Sequence, residues 1–188
     1  MVRVPWGRAV RPNGQWGYAM GNRPAGGAVC NLGVMTASES AAPSAASRKA
    51  TVPCPACQTL NRVDLDRIAA GPRCASCREP LALDRPMALT DATFARVVAD
   101  APVPVLVDFY ADWCGPCRVM APQVEAIARR HAGRALVAKL DTDRSQGTAM
   151  RFGIRSIPAL VAFREGRESG REVGVVPAAR VEALLGVG

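Results

Sequence analysis

Three pairs of cysteines in this chain share one spacing, with two residues between the sulfurs: Cys54-Pro55-Ala56-Cys57, Cys74-Ala75-Ser76-Cys77 and Cys114-Gly115-Pro116-Cys117. The first two pairs combine as C-x2-C-x16-C-x2-C, a pattern that reads as a zinc ribbon. Two residues between ligands let one tight turn aim both sulfurs at a common point, and two such turns complete a tetrahedron at about 2.3 Å from the ion. The unit spans about 51–83, too short to build a sufficient core alone, so a metal supplies what apolar burial lacks. Cys54, Cys57, Cys74 and Cys77 are therefore the expected ligands of one structural zinc. Iron could occupy the same four sulfurs, and two independent redox dithiols or structurally idle cysteines are the alternatives. No position remains open for a catalytic water.

The third pair has no downstream partner. It follows Pro102–Tyr110, an apolar β-rich run suited to a buried central strand. It precedes a segment from Gly115 to His131 that carries Val119, Met120, Val124, Ile127 and Ala128 at helical spacing. Cys114 is thus placed at a helix N-terminus, where unpaired amides and the helix dipole favour an anion. Thiols in this setting ionise near pH ~7. Cys117, one turn further in, is expected to be more buried and to remain a thiol. An exposed nucleophile beside a protected resolving thiol is what disulfide exchange requires.

The 188 residues allow one ordinary domain plus something small. No apolar run approaches the roughly 18 residues of a membrane span, and no compact apolar segment marks a secretory signal. These features favour the cytoplasm, where structural disulfides are rare and seven cysteines point to metal or redox chemistry. The net charge of +8 is uneven. Residues 1–50 hold six basic residues against Glu39 alone, whereas 51–188 are nearly balanced. A nucleic-acid partner is therefore not expected of the folded part.

Residues 1–50 read as a disordered basic tail, since Thr36–Ala50 has almost no large apolar side chain. Trp6, Trp16 and Tyr18 lie among arginines and could stack on single-stranded RNA. The alternatives are a tail without a target or a true start near Met35. Cys30 has no assigned role. Beyond the ribbon, Ala88-Leu89 is a short apolar stretch before Thr90-Asp91, which caps a helix over 91–100. Strands are expected at Ala135–Leu140, Ala159–Phe163 and Glu172–Val176, with Glu165-Gly166 as a turn. A short helix falls at Arg144–Phe152, and Pro177 opens a last one to Leu185. This order predicts an α/β fold, a mixed sheet covered on both faces. His131 is expected to be structural at a helix C-terminus, and Met120 and Met150 to fill the core.

The segment DFYADWCGPCRVMAPQVEAIA, Asp108 to Ala128, resembles the active-site segment of the thioredoxin family. VAKLDTD (Val137–Asp143), FGIRSIPALVAF (Phe152–Phe163) and the EVG of Glu172–Gly174 follow in the family's order. The four-cysteine unit with CQTLNRV (Cys57–Val63) resembles the zinc-binding thioredoxin 2 branch. The resemblance implies a thioredoxin domain over 86–188 that reduces protein disulfides and is itself re-reduced by an NADPH-dependent thioredoxin reductase. It implies that Cys114 attacks, Cys117 resolves, and Asp108 acts as general base, with Lys139 as a tuning charge. A carboxylate inside an apolar strand has a raised pKa suited to that task; an ordinary structural Asp is the alternative. It further implies that Trp113, Gly115, Pro116, Gly174 and a cis Ile157-Pro158 peptide shape the substrate site. No organic cofactor is implied, and the chain is expected to be a monomer. A zinc-controlled redox sensor is the competing reading for the ribbon.

Overall fold

The computed structural model describes residues 48–187, so the readings of the tail up to residue 47, including Trp6, Trp16, Tyr18, Cys30 and Met35, lie outside the described residues, whereas Lys49 and Ala50, expected in that tail, open the first strand, where Ala50 is buried. Two strands, β1 (Lys49–Pro53) and β2 (Leu60–Asp64), form an antiparallel hairpin. A 3-10 turn (Leu65–Ala70) follows, capped by Asp64, whose carboxylate accepts from the Asp66 amide.

The remaining strands are β3 (Met87–Leu89), β4 (Val105–Tyr110), β5 (Leu136–Asp141), β6 (Ala159–Arg164) and β7 (Arg167–Val173). They form one sheet in the order β3-β5-β4-β6-β7. β3, β5 and β4 run parallel; β6 and β7 add as an antiparallel hairpin. The helices are α1 (Asp91–Ala99), α2 (Gly115–Arg130), α3 (Gln146–Arg151) and α4 (Ala178–Leu185). The sheet is therefore mixed and covered on both faces, as the strand–helix alternation predicts.

The two-residue pleat of β4 sorts the core. Val105, Val107 and Phe109 face Phe94, Val97 and Val98 of α1. Leu106 faces Met120, Val124, Ile127 and Ala128 of α2 and Val181 and Leu185 of α4. Both faces are apolar because crossover helices cover both. Phe94 sits at a ring cluster, with centroids 5.1 Å from Phe152, 5.5 Å from Phe163 and 6.4 Å from Phe109.

The first of these two cores does not stop at the sheet. Ala50, Val52, Val63, Leu65, Leu81 and Leu83 from the cysteine-rich segment join the α1-side cluster. The Thr51 hydroxyl donates to Asp100 at 2.8 Å, and Arg62 and Arg96 pair with the same carboxylate. At Gly133, with φ +75°, an added Cβ would lie 3.1 Å from the Leu65 carbonyl, so the 3-10 turn docks against bare backbone.

Three sequence expectations change. Val119 is exposed, because the buried stripe of α2 runs through Cys117, Met120, Val124, Ile127 and Ala128, about 100° away from it. Met150 is exposed too, since α3 buries Thr148 and Ala149 instead. The last strand is Arg167–Val173 rather than Glu172–Val176. It pairs from Arg167 because Glu165 and Gly166, both at positive φ, form a two-residue turn whose twist suits a hairpin. This edge strand is polar, so apolar patterning hides its start. His131 caps α2 and is buried; its Nδ1 accepts from Arg134, leaving Nε2 to donate to Glu182 of α4 at 3.1 Å.

Because one core runs from β1 into the sheet, Phe94→Ala should cost about 3–5 kcal/mol. Urea denaturation should still show a single transition; separate unfolding of the cysteine-rich segment and the sheet would contradict the shared core.

Candidate active site and metal centre

Cys114 is the N-cap of α2, with extended backbone, and its Sγ accepts from the Cys117 amide at 3.1 Å. Gly115 and Pro116 open the helix, where a proline lacks nothing because first-turn amides have no helical partner. The two sulfurs are joined as a disulfide. Both cysteines are buried, Cys114 at 3 % exposure and Cys117 at 4 %. This corrects the expected contrast between an open and a protected thiol: in the oxidised state Ala111, Tyr110 and Ile157 pack around both.

The rim is apolar. Trp113 is 70 % exposed, and Val173 and Val175 are about half exposed on either side of Gly174. The Ile157–Pro158 peptide is cis. The Pro158 carbonyl accepts from the Gly174 amide at 2.8 Å, and Gly174 has φ +86°, so the end of β7 is tied to this loop. The structure thus brings Trp113, Gly115, Pro116, Ile157, Pro158 and Gly174 to the same end of the sheet as the dithiol. It adds Asp143, which sequence reasoning missed: the Trp113 indole N–H donates to its carboxylate at 2.8 Å. The signal was the DTD after β5, where the Asp141 carboxylate accepts from the Asp143 amide and turns the chain.

Asp108 stands on β4 opposite Lys139 of β5 and Leu160 of β6. It points to the α2 face and is 5 % exposed. Its Oδ1 has no hydrogen-bond partner among the described residues. A cleft of about 230 Å³ is lined by Asp108, Cys117, Tyr110, Arg118, Ala121 and Lys139. Burial pushes the Asp108 carboxyl up to about 6, and the positive charge of Lys139 opposes the rise. Lys139 itself is exposed, with Nζ 5.5 Å from the Tyr110 ring centroid.

The four other described cysteines converge elsewhere. Their sulfurs all lie within 4.8 Å of one another. Cys54 and Cys77 are 3.4 Å apart, Cys57 and Cys74 3.7 Å; four sulfurs at ~2.3 Å from a zinc ion would be about 3.8 Å apart. Two matching turns hold them. Gln58 N–H bonds Cys54 carbonyl and Cys54 N–H bonds Thr59 carbonyl; Arg78 N–H bonds Cys74 carbonyl and Cys74 N–H bonds Glu79 carbonyl. Gln58 and Arg78 both take positive φ, 57° and 67°. The thiols compete for charge. The Cys77 amide helps draw Cys74 down to about 6. The Glu79 amide pulls Cys77 down, yet the crowded sulfurs of Cys54 and Cys57 drive it up to about 12. Four sulfurs so close cannot all ionise without a cation, and a single zinc fits this donor set. With four protein sulfurs as ligands, no position would be left for a catalytic water.

The two centres lie at opposite ends of the sheet. The cysteine-rich segment touches Asp100, which ends α1, and Gly133, which precedes β5. Cys114 follows the far end of β4.

The Thioredoxin family model matches residues 85–186, and the family described as "Thioredoxin 2, N-terminal" matches residues 53–79. Thioredoxin 1 of Nostoc sp. is 46% identical over 97 residues, 52% of this chain and 91% of its own. Thioredoxin of Pseudomonas aeruginosa is 40% identical over 97 residues, 52% of this chain and 90% of its own. Among solved structures, a point-mutant thioredoxin from Halobacterium salinarum is similar with a TM-score of 0.51 and 36% identity, covering 55% of this chain and 90% of that one. A dithiol at a helix start, under a sheet of this order and behind a four-sulfur metal centre, is thus matched over both of its parts, and the chain belongs to the thioredoxin family of protein-disulfide reductases, with the zinc ribbon of thioredoxin 2 at its N-terminal side.

Proposed function

We propose that this chain reduces protein disulfides through Cys114 and Cys117, with the zinc ribbon of about 51–83 bracing a catalytic domain of about 86–188. The observation that carries the reading is the placement of Cys114 as N-cap of α2, with its sulfur accepting the Cys117 amide. That amide and the helix dipole stabilise a thiolate. The Cys114 thiolate attacks one sulfur of a substrate disulfide; the substrate S–S bond breaks and its other sulfur leaves as a thiolate that takes a proton. Asp108, as carboxylate, removes the proton from the Cys117 thiol across their shared cleft. Cys117 then attacks the Cys114 sulfur, closing the internal disulfide and releasing the second substrate thiolate. Two electrons pass to the substrate. An NADPH-dependent thioredoxin reductase returns them.

Trp113, Val173, Val175 and the Ile157-Pro158 loop supply an apolar rim for an extended substrate segment. Lys139 opposes the raised affinity of Asp108 for its proton, which keeps the carboxylate available near neutral pH. A structural role for the zinc is favoured because Cys54 and Cys74 lie in the same core as Phe94. No described helix is long and apolar enough to cross a membrane; a cytoplasmic, monomeric reductase with no nucleic-acid partner is the setting we assign.

Reduction of insulin by the zinc-loaded chain, coupled to NADPH and thioredoxin reductase, tests the reading. Cys114→Ser should abolish turnover, and Cys117→Ser should accumulate a mixed disulfide; turnover by Cys114→Ser would refute the assignment. Asp108→Asn should slow resolution on the order of 10²-fold at pH 7. The same variant has a stability consequence with a defined sign. The fold raises the Asp108 pKa from 3.8 to about 6, so the native state holds the proton more tightly than the unfolded chain. The stabilisation is full below pH ~4 and lost as pH rises through ~6. Asp108→Asn should match the parent near pH 4 and exceed it by about 3 kcal/mol at pH 8, read from denaturation midpoints.

A further inference from the structure

Asn61 occupies an inward position of β2, between Leu60 and Arg62, which point outward. Asparagine is buried there although the next inward residue of the strand is Val63. Its side chain joins the two cysteine turns. Nδ2 donates to the Thr59 carbonyl of the first turn at 2.8 Å. Oδ1 accepts from the Ala75 amide of the second turn at 2.9 Å. The other Nδ2 hydrogen reaches Cys74 Sγ at 3.6 Å. Only this orientation of the amide satisfies all three, since a flip would set Oδ1 against a carbonyl and a sulfur.

Resting on the zinc assignment, we infer that Asn61 is a positioning residue for the metal centre, holding the two turns in register and donating a hydrogen bond to the Cys74 sulfur. Four thiolates around a divalent ion leave two negative charges, and Cys74 is one of the two buried ligands. Water cannot solvate that sulfur well, so a fixed amide N–H replaces it. Cys57, an exposed ligand, has instead the Thr59 hydroxyl at 3.3 Å, which donates once the sulfur is ionised. Each turn thus has a side-chain partner from the same short stretch, Thr59 to Asn61. A role limited to shaping the turns would use the two backbone bonds and leave the sulfur's electronic state untouched.

The experiment uses the full chain and two variants. Asn61→Leu keeps the shape and removes all three bonds; Asn61→Asp keeps an acceptor for the Ala75 amide and replaces the donor with a negative group. Zinc affinity is measured by competition with a chromophoric chelator. The sulfur-to-metal charge-transfer band is measured after replacing zinc with cobalt(II). Both variants should bind zinc about 10–100-fold more weakly, with the cobalt band moved to lower energy as Cys74 loses its donor. If Asn61→Leu does not fold, Asn61→Asp carries the same two readouts. Zinc affinity and band position unchanged in the folded variants would overturn the inference while leaving the zinc assignment intact. A parent chain without one equivalent of zinc would overturn both.

Discussion

Burial of β4 on both faces is the constraint from which the rest of the structure follows. Val105 to Phe109 lie inside the sheet between β5 and β6, so both pleat faces must be filled by helices. α1, with Phe152 and Ile154 beyond α3, fills one, and α2 and α4 the other. Once β4 is held there, the chain leaving its end must turn back over the sheet, and the start of α2 is placed at that edge. Cys114 occupies the turn's last non-helical position. The dithiol's electrostatic setting is therefore a product of strand burial, transmitted through four residues of loop.

The same burial creates the site's internal tension. Asp108 interrupts an otherwise apolar strand and faces α2 with one oxygen lacking a partner among the described residues. A carboxylate so placed is destabilising when charged, which is why its pKa rises. A purely structural position would be better served by leucine, as at Leu106 on the same face. Under the mechanism we propose, the cleft shared by Asp108 and Cys117 gives that cost a chemical use, with a base that ionises near neutrality facing a thiol that must lose a proton.

The zinc ribbon belongs to the other end of the fold. It shares the α1-side core through Val52, Val63 and Leu81, and its contacts lie at Asp100 and Gly133. Metal and dithiol chemistry are thereby kept apart although both use the same cysteine spacing. The difference comes from context. In the ribbon, the residue after each second cysteine turns left-handed, at Gln58 and Arg78, and bends the chain back. After Cys117 the chain continues as helix, so its sulfurs meet each other rather than a second pair.

Spacing and periodicity were enough to read the four-sulfur set, the dithiol at a helix start, the buried central strand and the order of the elements from α1 onward, because each depends on residues close in sequence; β1, β2 and the short β3 were not read. The apolar run of β4 and the stripe of α2 are local patterns with one physical solution. The start of β7 was not legible, since an edge strand with one solvated face carries polar residues that resemble a loop. Nor were Trp113 bonded to Asp143 or Asn61 bonded to Cys74, because each pair meets only when separate elements pack. The sequence by itself determined which sulfurs could act and what kind of fold would carry them. Tertiary structure alone decided how open Cys114 is, which oxygen of Asp108 lacks a partner, and that the ribbon and the sheet share a core: burial and solvation at a point are set by every segment that crosses it.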